Sequence, residues 1–125
     1  MLLALTVASM MQLAPADTAQ DRWRIEGDVQ GFPIRMTCAV DVADTVLTGS
    51  CTSDDGGTME IRGSVEGERV TFSHDGEYEG QPLTALYTGT AQSETEVRGT
   101  IDVQPFAATG TFVARQLPAG EASAP

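Results

Sequence analysis

Residues 34–51 read IRMTCAVDVADTVLTGSC, and this stretch decides the fold. Apolar and polar residues alternate along both arms, which is typical of two half-buried β-strands. A two-residue turn at 44–45 sets a register in which Cys38 faces Cys51. Counted outward from the turn, this is a non-hydrogen-bonded pair, whose Cα atoms lie ~4.5 Å apart, within reach of a disulfide. The sequence therefore predicts a hairpin whose register is locked by a Cys38–Cys51 bridge.

The two cysteines also allow other interpretations. Their number is even, and such a pair in a small exported domain usually forms a disulfide. A closed zinc site needs four ligands, whereas the chain offers two Cys and one His. Two buried free thiols remain the alternative. A bridge across so short a loop should stabilise the fold by ~3 kcal/mol.

The same alternation continues through most of the chain and predicts eight strands with short connections. We expect a turn at 30–33 and a longer acidic loop at 75–82. Sequential short connections favour an all-β fold, a single eight-stranded antiparallel up-and-down barrel over 22–116, because eight strands suffice for closure. A two-sheet β-sandwich is the alternative. The predicted strands are 22–29, 34–42, 46–53, 58–66, 69–74, 83–91, 96–103 and 109–115.

Charge and composition exclude several classes of function. The chain has 125 residues and a formal net charge of −11, from seven Arg and no Lys against eighteen Asp and Glu. Nucleic acids and anionic membranes bind basic patches, so neither is expected as a partner. Hydrophobic residues make up 41% of the chain, which indicates a folded domain and not a disordered acidic tail.

Both termini are predicted to lie outside the barrel. The uncharged apolar run MLLALTVASMMQL is too short to span a membrane and is followed by Ala14-Pro15-Ala16, an A-x-A cleavage site. We expect residues 1–16 to be a signal peptide and 17–21 a short N-terminal segment, so that the mature protein is periplasmic or secreted. A frayed apolar terminus or an additional strand is the alternative. Residues 117–125 are predicted to be a disordered tail.

The strand phrases LTGSC, YTGTA, VRGTI and GTFVA, after an exported N-terminus, resemble those of small bacterial calycin barrels, the group that includes lipocalins and avidins. LTGSC is similar to an avidin phrase of the LTGTY kind. Avidins line their pocket with several Trp, whereas this chain has only Trp23, and Asp21 stands where the lipocalin G-x-W start has glycine. The resemblance therefore implies the barrel architecture and no binding residues.

The inward-facing positions supply the candidate ligand-binding residues, with the His74 ring and the Tyr87 hydroxyl as polar handles. The same side chains could instead form a packed core, since a domain of ~100 residues needs most of its apolar surface to fold. We expect a mostly filled barrel with any cavity small and at one end. Six glycines share the inward parity: Gly27, Gly49, Gly63, Gly89, Gly99 and Gly110. The candidate ligand-binding residues are His74, Tyr87, Trp23, Phe72 and Phe112.

Catalytic chemistry is not expected. The chain has no phosphate loop, dinucleotide motif, zinc-helix motif or nucleophile elbow. Ser73 faces away from His74, which argues against a Ser-His pair. The acidic stretch 75–80 could hold calcium but lacks the spaced oxygen ligands of a calcium loop, so a solvated loop is favoured. We expect no enzyme activity, no catalytic residue, no cofactor and no metal site.

The expected function is that of an exported small barrel that binds a small, largely apolar molecule. The alternative is an envelope protein with a filled barrel, since small single-disulfide barrels resemble periplasmic protease or lysozyme inhibitors. A net charge of −11 would suit a cationic target protein, although an S-x-S-G-x-x-Y inhibitory phrase is absent. We expect a monomer with no nucleic-acid partner and no membrane span.

Overall fold

The computed structural model describes residues 21–118 as a closed barrel of eight antiparallel strands in sequential order, with β8 paired to β1. The up-and-down barrel predicted from the sequence is confirmed, and the sandwich alternative is wrong. The predicted signal peptide lies outside the described residues, as do residues 17–20 of the predicted N-terminal segment and the tail beyond 118. Asp21 was expected to precede the barrel but is the first residue of β1. No helix within 21–118 is long and apolar enough to cross a membrane. The strands are β1 (Asp21–Val29), β2 (Phe32–Ala43), β3 (Val46–Ser53), β4 (Thr58–Glu66), β5 (Arg69–Tyr78), β6 (Gln81–Ser93), β7 (Glu96–Gln104) and β8 (Ala108–Gln116).

The β2–β3 hairpin has the predicted register. Ala43 pairs with Val46, and five pairs further on Cys38 faces Cys51. These two cysteines form a disulfide with a Cα–Cα distance of 4.0 Å, and both are fully buried. The bridge therefore lies inside the barrel and ties two neighbouring strands together in the core.

The β5–β6 hairpin is longer than predicted. The expected acidic loop at 75–82 is wrong, because β5 continues to Tyr78, β6 begins at Gln81 and a two-residue turn joins them. Both turn residues, Glu79 and Gly80, have positive φ (52° and 82°), which matches the twist of a tight hairpin. Asp75 and Glu77 occupy alternate positions of the extended strand, so their charge does not prevent pairing. The turn predicted at 30–33 is likewise shorter, because β2 already begins at Phe32.

Inward glycines let strands and core side chains approach closely. A Cβ on Gly99 would overlap the carbonyl oxygen of Thr88 on the neighbouring strand, and one on Gly63 would overlap that of Thr71. A Cβ on Gly89 would lie 3.0 Å from the Phe112 ring. The predicted inward orientation of these glycines is confirmed, and it explains how three bulky rings fit in a small barrel.

Those three rings fill the middle of the barrel. The Tyr87 ring stacks on Phe72 with centroids 4.6 Å apart and an interplanar angle of 11°. Phe112 packs edge-on against both, at 5.8 Å from Phe72 and 5.2 Å from Tyr87. All three are buried. This aromatic cluster, Phe72–Tyr87–Phe112, separates the two ends of the barrel interior.

Candidate functional site

The barrel has a cavity at each end. The smaller has a volume of about 270 Å³ and lies at the end where β1 begins; Trp23, Val40 and Leu47 are among its apolar lining. The larger, at the opposite end, has a volume of about 600 Å³. The expectation of one small cavity at one end is wrong, because the aromatic cluster occupies the middle of the barrel and leaves both ends open.

Three hairpins form the walls of the larger cavity: β1–β2, β5–β6 and β7–β8. Within the described residues, no side chain of β3 or β4 contributes to its lining. The β3–β4 turn lies lower along the barrel, since Asp54 N donates to the carbonyl oxygen of Arg35 at 3.1 Å, inside β2. The Arg24 guanidinium donates two hydrogen bonds of 2.7 Å to the Asp54 carboxylate. This ion pair ties the β3–β4 turn to β1, and it keeps the pKa of Asp54 below its usual value.

Beside the low β3–β4 hairpin, the end of β5 has no strand partner on its β4 side within the described residues. The β4–β5 pairing runs from Glu66–Arg69 to Arg62–Ser73, and among the described residues β5 beyond Ser73 pairs with β6 only. The larger cavity is thus bordered on this flank by an unpaired edge of β5. We use "mouth" for this end of the barrel, formed by the turns at 28–33, 53–58, 77–82 and 103–108.

The floor of the larger cavity holds one hydrogen-bonded chain. His74 Nδ1 lies 3.1 Å from the carbonyl oxygen of Asp75, which can only accept, so Nδ1 carries the ring proton. His74 Nε2 lies 3.1 Å from the Tyr87 hydroxyl and accepts a hydrogen bond from it. Burial lowers the pKa of His74, which favours this neutral tautomer, and burial also raises the pKa of Tyr87. Both groups are neutral near pH 7 and satisfy one another.

The structure does not bring the five predicted ligand-binding residues together. His74 and Tyr87 line the larger cavity, whereas Trp23 and Phe72 line the smaller one. Phe112 belongs to the aromatic cluster between them. Tyr87 is 0% exposed, so its hydroxyl bonds to His74 within the floor of the larger cavity and is shielded from a ligand above it. Within residues 21–118, no three metal-ligating side chains lie close enough together to hold an ion.

Sequence reasoning missed the aromatic residues at the mouth. Phe32, Tyr78 and Phe106 line the larger cavity, and each comes from a different wall hairpin. Their exposed fractions are 59%, 47% and 40%, large for aromatic side chains. The sequence pattern places Phe32 in a turn and Tyr78 in a loop, and it assigns Phe106 to no element. In an up-and-down barrel alternate turns lie at the same end, so aromatic residues beside the first, fifth and seventh turns were a usable signal.

No protein-family model matches the chain, and no curated protein matches its sequence. Among solved structures, the chain is similar to a redesigned β-barrel, mFAP1, whose structure was determined bound to DFHBI. The two superpose with a TM-score of 0.58 over 80% of this chain and 96% of that chain, at 13% sequence identity. At this identity the likeness shows the fold, a small β-barrel, and does not assign the chain to the calycin group.

Proposed function

We propose that this protein is an exported, calycin-like barrel that binds a small, largely apolar molecule in its larger cavity. The observation that carries the proposal is the cavity itself, which has a volume of about 600 Å³ and apolar walls from three hairpins. The buried disulfide suits an oxidising compartment such as the periplasm or the cell exterior. The mFAP1 barrel with DFHBI bound is a precedent for ligand binding by a barrel of this size.

The apolar lining of the cavity supports ligand binding rather than a filled core. Ile34, Leu83 and Val103 line it and are only partly buried, so apolar surface remains open to a guest. Covering such surface is favourable by ~25 cal/mol per Å². The proposal includes no catalytic step, because both ring nitrogens of His74 are committed to hydrogen bonds within the floor.

Binding can be tested with the neutral dye Nile red and a pair of matched variants. Ala108 is partly buried in the cavity wall, and the next residue, Thr109, is exposed on the opposite face of β8. Ala108→Phe should reduce dye affinity by at least about tenfold by filling the cavity, whereas Thr109→Phe should leave it unchanged. Val103→Phe is a second filling variant, in case the first does not fold.

Native mass spectrometry of the purified protein gives an independent measurement. A retained small molecule that is lost in Ala108→Phe would support the proposal. Equal dye binding by Ala108→Phe, Val103→Phe and the parent protein would refute it, because the dye would then bind elsewhere.

One observation favours a second candidate, an envelope protein that binds a cationic partner protein. The exposed rings of Phe32, Tyr78 and Phe106 lie at an end of the barrel that is rich in carboxylates, a composition suited to a basic protein surface. A stable complex with a cationic envelope enzyme such as lysozyme, formed with an empty cavity, would favour this candidate over the first.

A further inference from the structure

The mouth of the larger cavity carries a row of three aromatic rings. The Tyr78 ring lies between the other two, with centroids 6.1 Å from Phe32 and 6.0 Å from Phe106. Both contacts are edge-to-face, at interplanar angles of 67° and 84°. Since all three rings are exposed and line the cavity, a ligand that enters from the end meets ring surface before it reaches the apolar walls.

The same end of the barrel is predominantly acidic, although the Asp54 carboxylate is paired with Arg24 and its turn lies low on the barrel. The four turns of the mouth contain five carboxylates and no Arg, and the chain has no Lys. Among the residues that line the cavity, Glu77 is the one acidic or basic residue besides the neutral His74, and its side chain is exposed at the rim of the mouth. An anionic ligand group would therefore meet repulsion at the mouth, and a cationic group would meet attraction. The five carboxylates belong to Asp28, Asp54, Asp55, Glu77 and Glu79.

The floor constrains which way a ligand lies. The Tyr87 hydroxyl is bonded to His74 and has no exposed surface, and the Nδ1 proton of His74 is bonded to the Asp75 carbonyl. A polar ligand group pushed down to this floor would lose its water without gaining a partner, which is costly. The polar group of a bound molecule is therefore placed at the mouth, beside the rings, with the apolar body inside.

We propose that the larger cavity selects molecules with an apolar body and an ammonium head, and that the head lies at the mouth against Phe32, Tyr78 and Phe106, close to Glu77. A cation within about 6 Å of an aromatic centroid is attracted to the ring face, most strongly when several rings and little water surround it. This inference rests on the proposed function, since it names the ligand class of the same cavity.

Three probes with the same alkyl chain test the inference: n-octyltrimethylammonium, 1-octanol and octanoate. Each is titrated calorimetrically, the two ions below their micelle concentrations and 1-octanol below its solubility limit. The ammonium should bind at least about tenfold more tightly than the alcohol, and octanoate should bind most weakly. The preference for the ammonium should shrink as salt is added, because salt screens the charges at the exposed mouth.

Variants at the mouth identify the groups responsible. Tyr78→Leu keeps an apolar side chain but removes the central ring, and should weaken ammonium binding about fivefold to tenfold while leaving 1-octanol unchanged. Glu77→Gln should reduce the ammonium preference, whereas Glu68→Gln, in an exposed turn at the opposite end, should not change it.

The outcomes distinguish the inference from the function on which it rests. Equal affinity for the ammonium and the alcohol, or tighter binding of octanoate, would overturn the cationic selectivity. The proposed binding of apolar molecules would remain supported in that case. An ammonium preference that survives both Tyr78→Leu and Glu77→Gln would also overturn it. If none of the three probes and no Nile red binds, the proposed function itself fails together with the inference.

Discussion

The hydrogen bond between Tyr87 and His74 makes Tyr87→Phe a sharp test of the floor of the larger cavity. The substitution keeps the ring and its 4.6 Å stack on Phe72, so what is lost is the 3.1 Å bond from the hydroxyl to His74 Nε2. Losing that bond and leaving the partly buried acceptor without its protein partner should cost about 1 kcal/mol of unfolding free energy. In a domain of this size, that lowers the Tm by about 4–8 °C. Urea and thermal unfolding followed by circular dichroism measure both quantities.

A double-mutant cycle separates the bond from packing effects. His74→Leu leaves the fully buried Tyr87 hydroxyl without its partner and should cost about 1–3 kcal/mol. The double variant should cost less than the sum of the two single variants by about 1 kcal/mol, because the second substitution removes a group that the first has already orphaned. Strictly additive effects, or a Tyr87→Phe protein as stable as the parent, would show that the two side chains do not form this bond.

Further predictions concern pH, the core, the glycines and the disulfide. Because burial lowers the pKa of His74, the folded protein binds the imidazole proton less readily than the unfolded chain. The contribution of His74 to urea stability should therefore be complete above its unfolded pKa of about 6.5 and be lost as the pH falls below it, and His74→Gln should flatten this profile. Ile101→Asp buries an unpaired carboxylate and should unfold the domain, whereas Thr100→Asp, on the outer face, should remain folded by circular dichroism. If Thr100→Asp unfolded the domain and Ile101→Asp did not, the assignment of inward and outward faces would be wrong by one residue. Gly99→Ala should lower the Tm sharply, because its methyl group overlaps the neighbouring strand, while Gly57→Ala, whose methyl group meets only a 3.6 Å contact, should not. Reduction of the disulfide should lower the urea unfolding free energy by about 3 kcal/mol, and an unchanged value would mean that the bridge does not constrain the unfolded chain.

Local patterns were sufficient for the strands and for one register. Period-two alternation identifies half-buried strands because each side chain faces either the core or the solvent, and the structure places Ile61 and Ile101 inside as that parity predicts. The Cys38–Cys51 pairing could be predicted because a two-residue turn determines every pair of its hairpin. The error at 75–82 arose because acidic residues were interpreted as a loop, although a paired strand tolerates charge at positions exposed to solvent.

The candidate site could be predicted only in part. His74 and Tyr87 were both expected near one end of the barrel, and the structure joins them across the β5–β6 ladder, where Tyr87 pairs with Phe72 and His74 with Ala85. That the two groups satisfy each other depends on side-chain directions across a strand pair, which parity does not specify. This hydrogen bond leaves the floor of the larger cavity without a free polar group, which therefore could not be predicted from the sequence.

The sequence by itself determined the number of strands, their faces, the disulfide and the acidic character of the chain, since each depends on neighbours along the chain or on simple counting. Only the tertiary structure decided that the interior divides into two cavities, because that depends on how three rings from β5, β6 and β8 stack at mid-barrel. It also decided that the β3–β4 hairpin stops low and that Phe32, Tyr78 and Phe106 meet at one mouth. These features follow from the stagger of closed strands and the relative heights of separate hairpins, which bring together residues that lie 28–74 positions apart in the sequence.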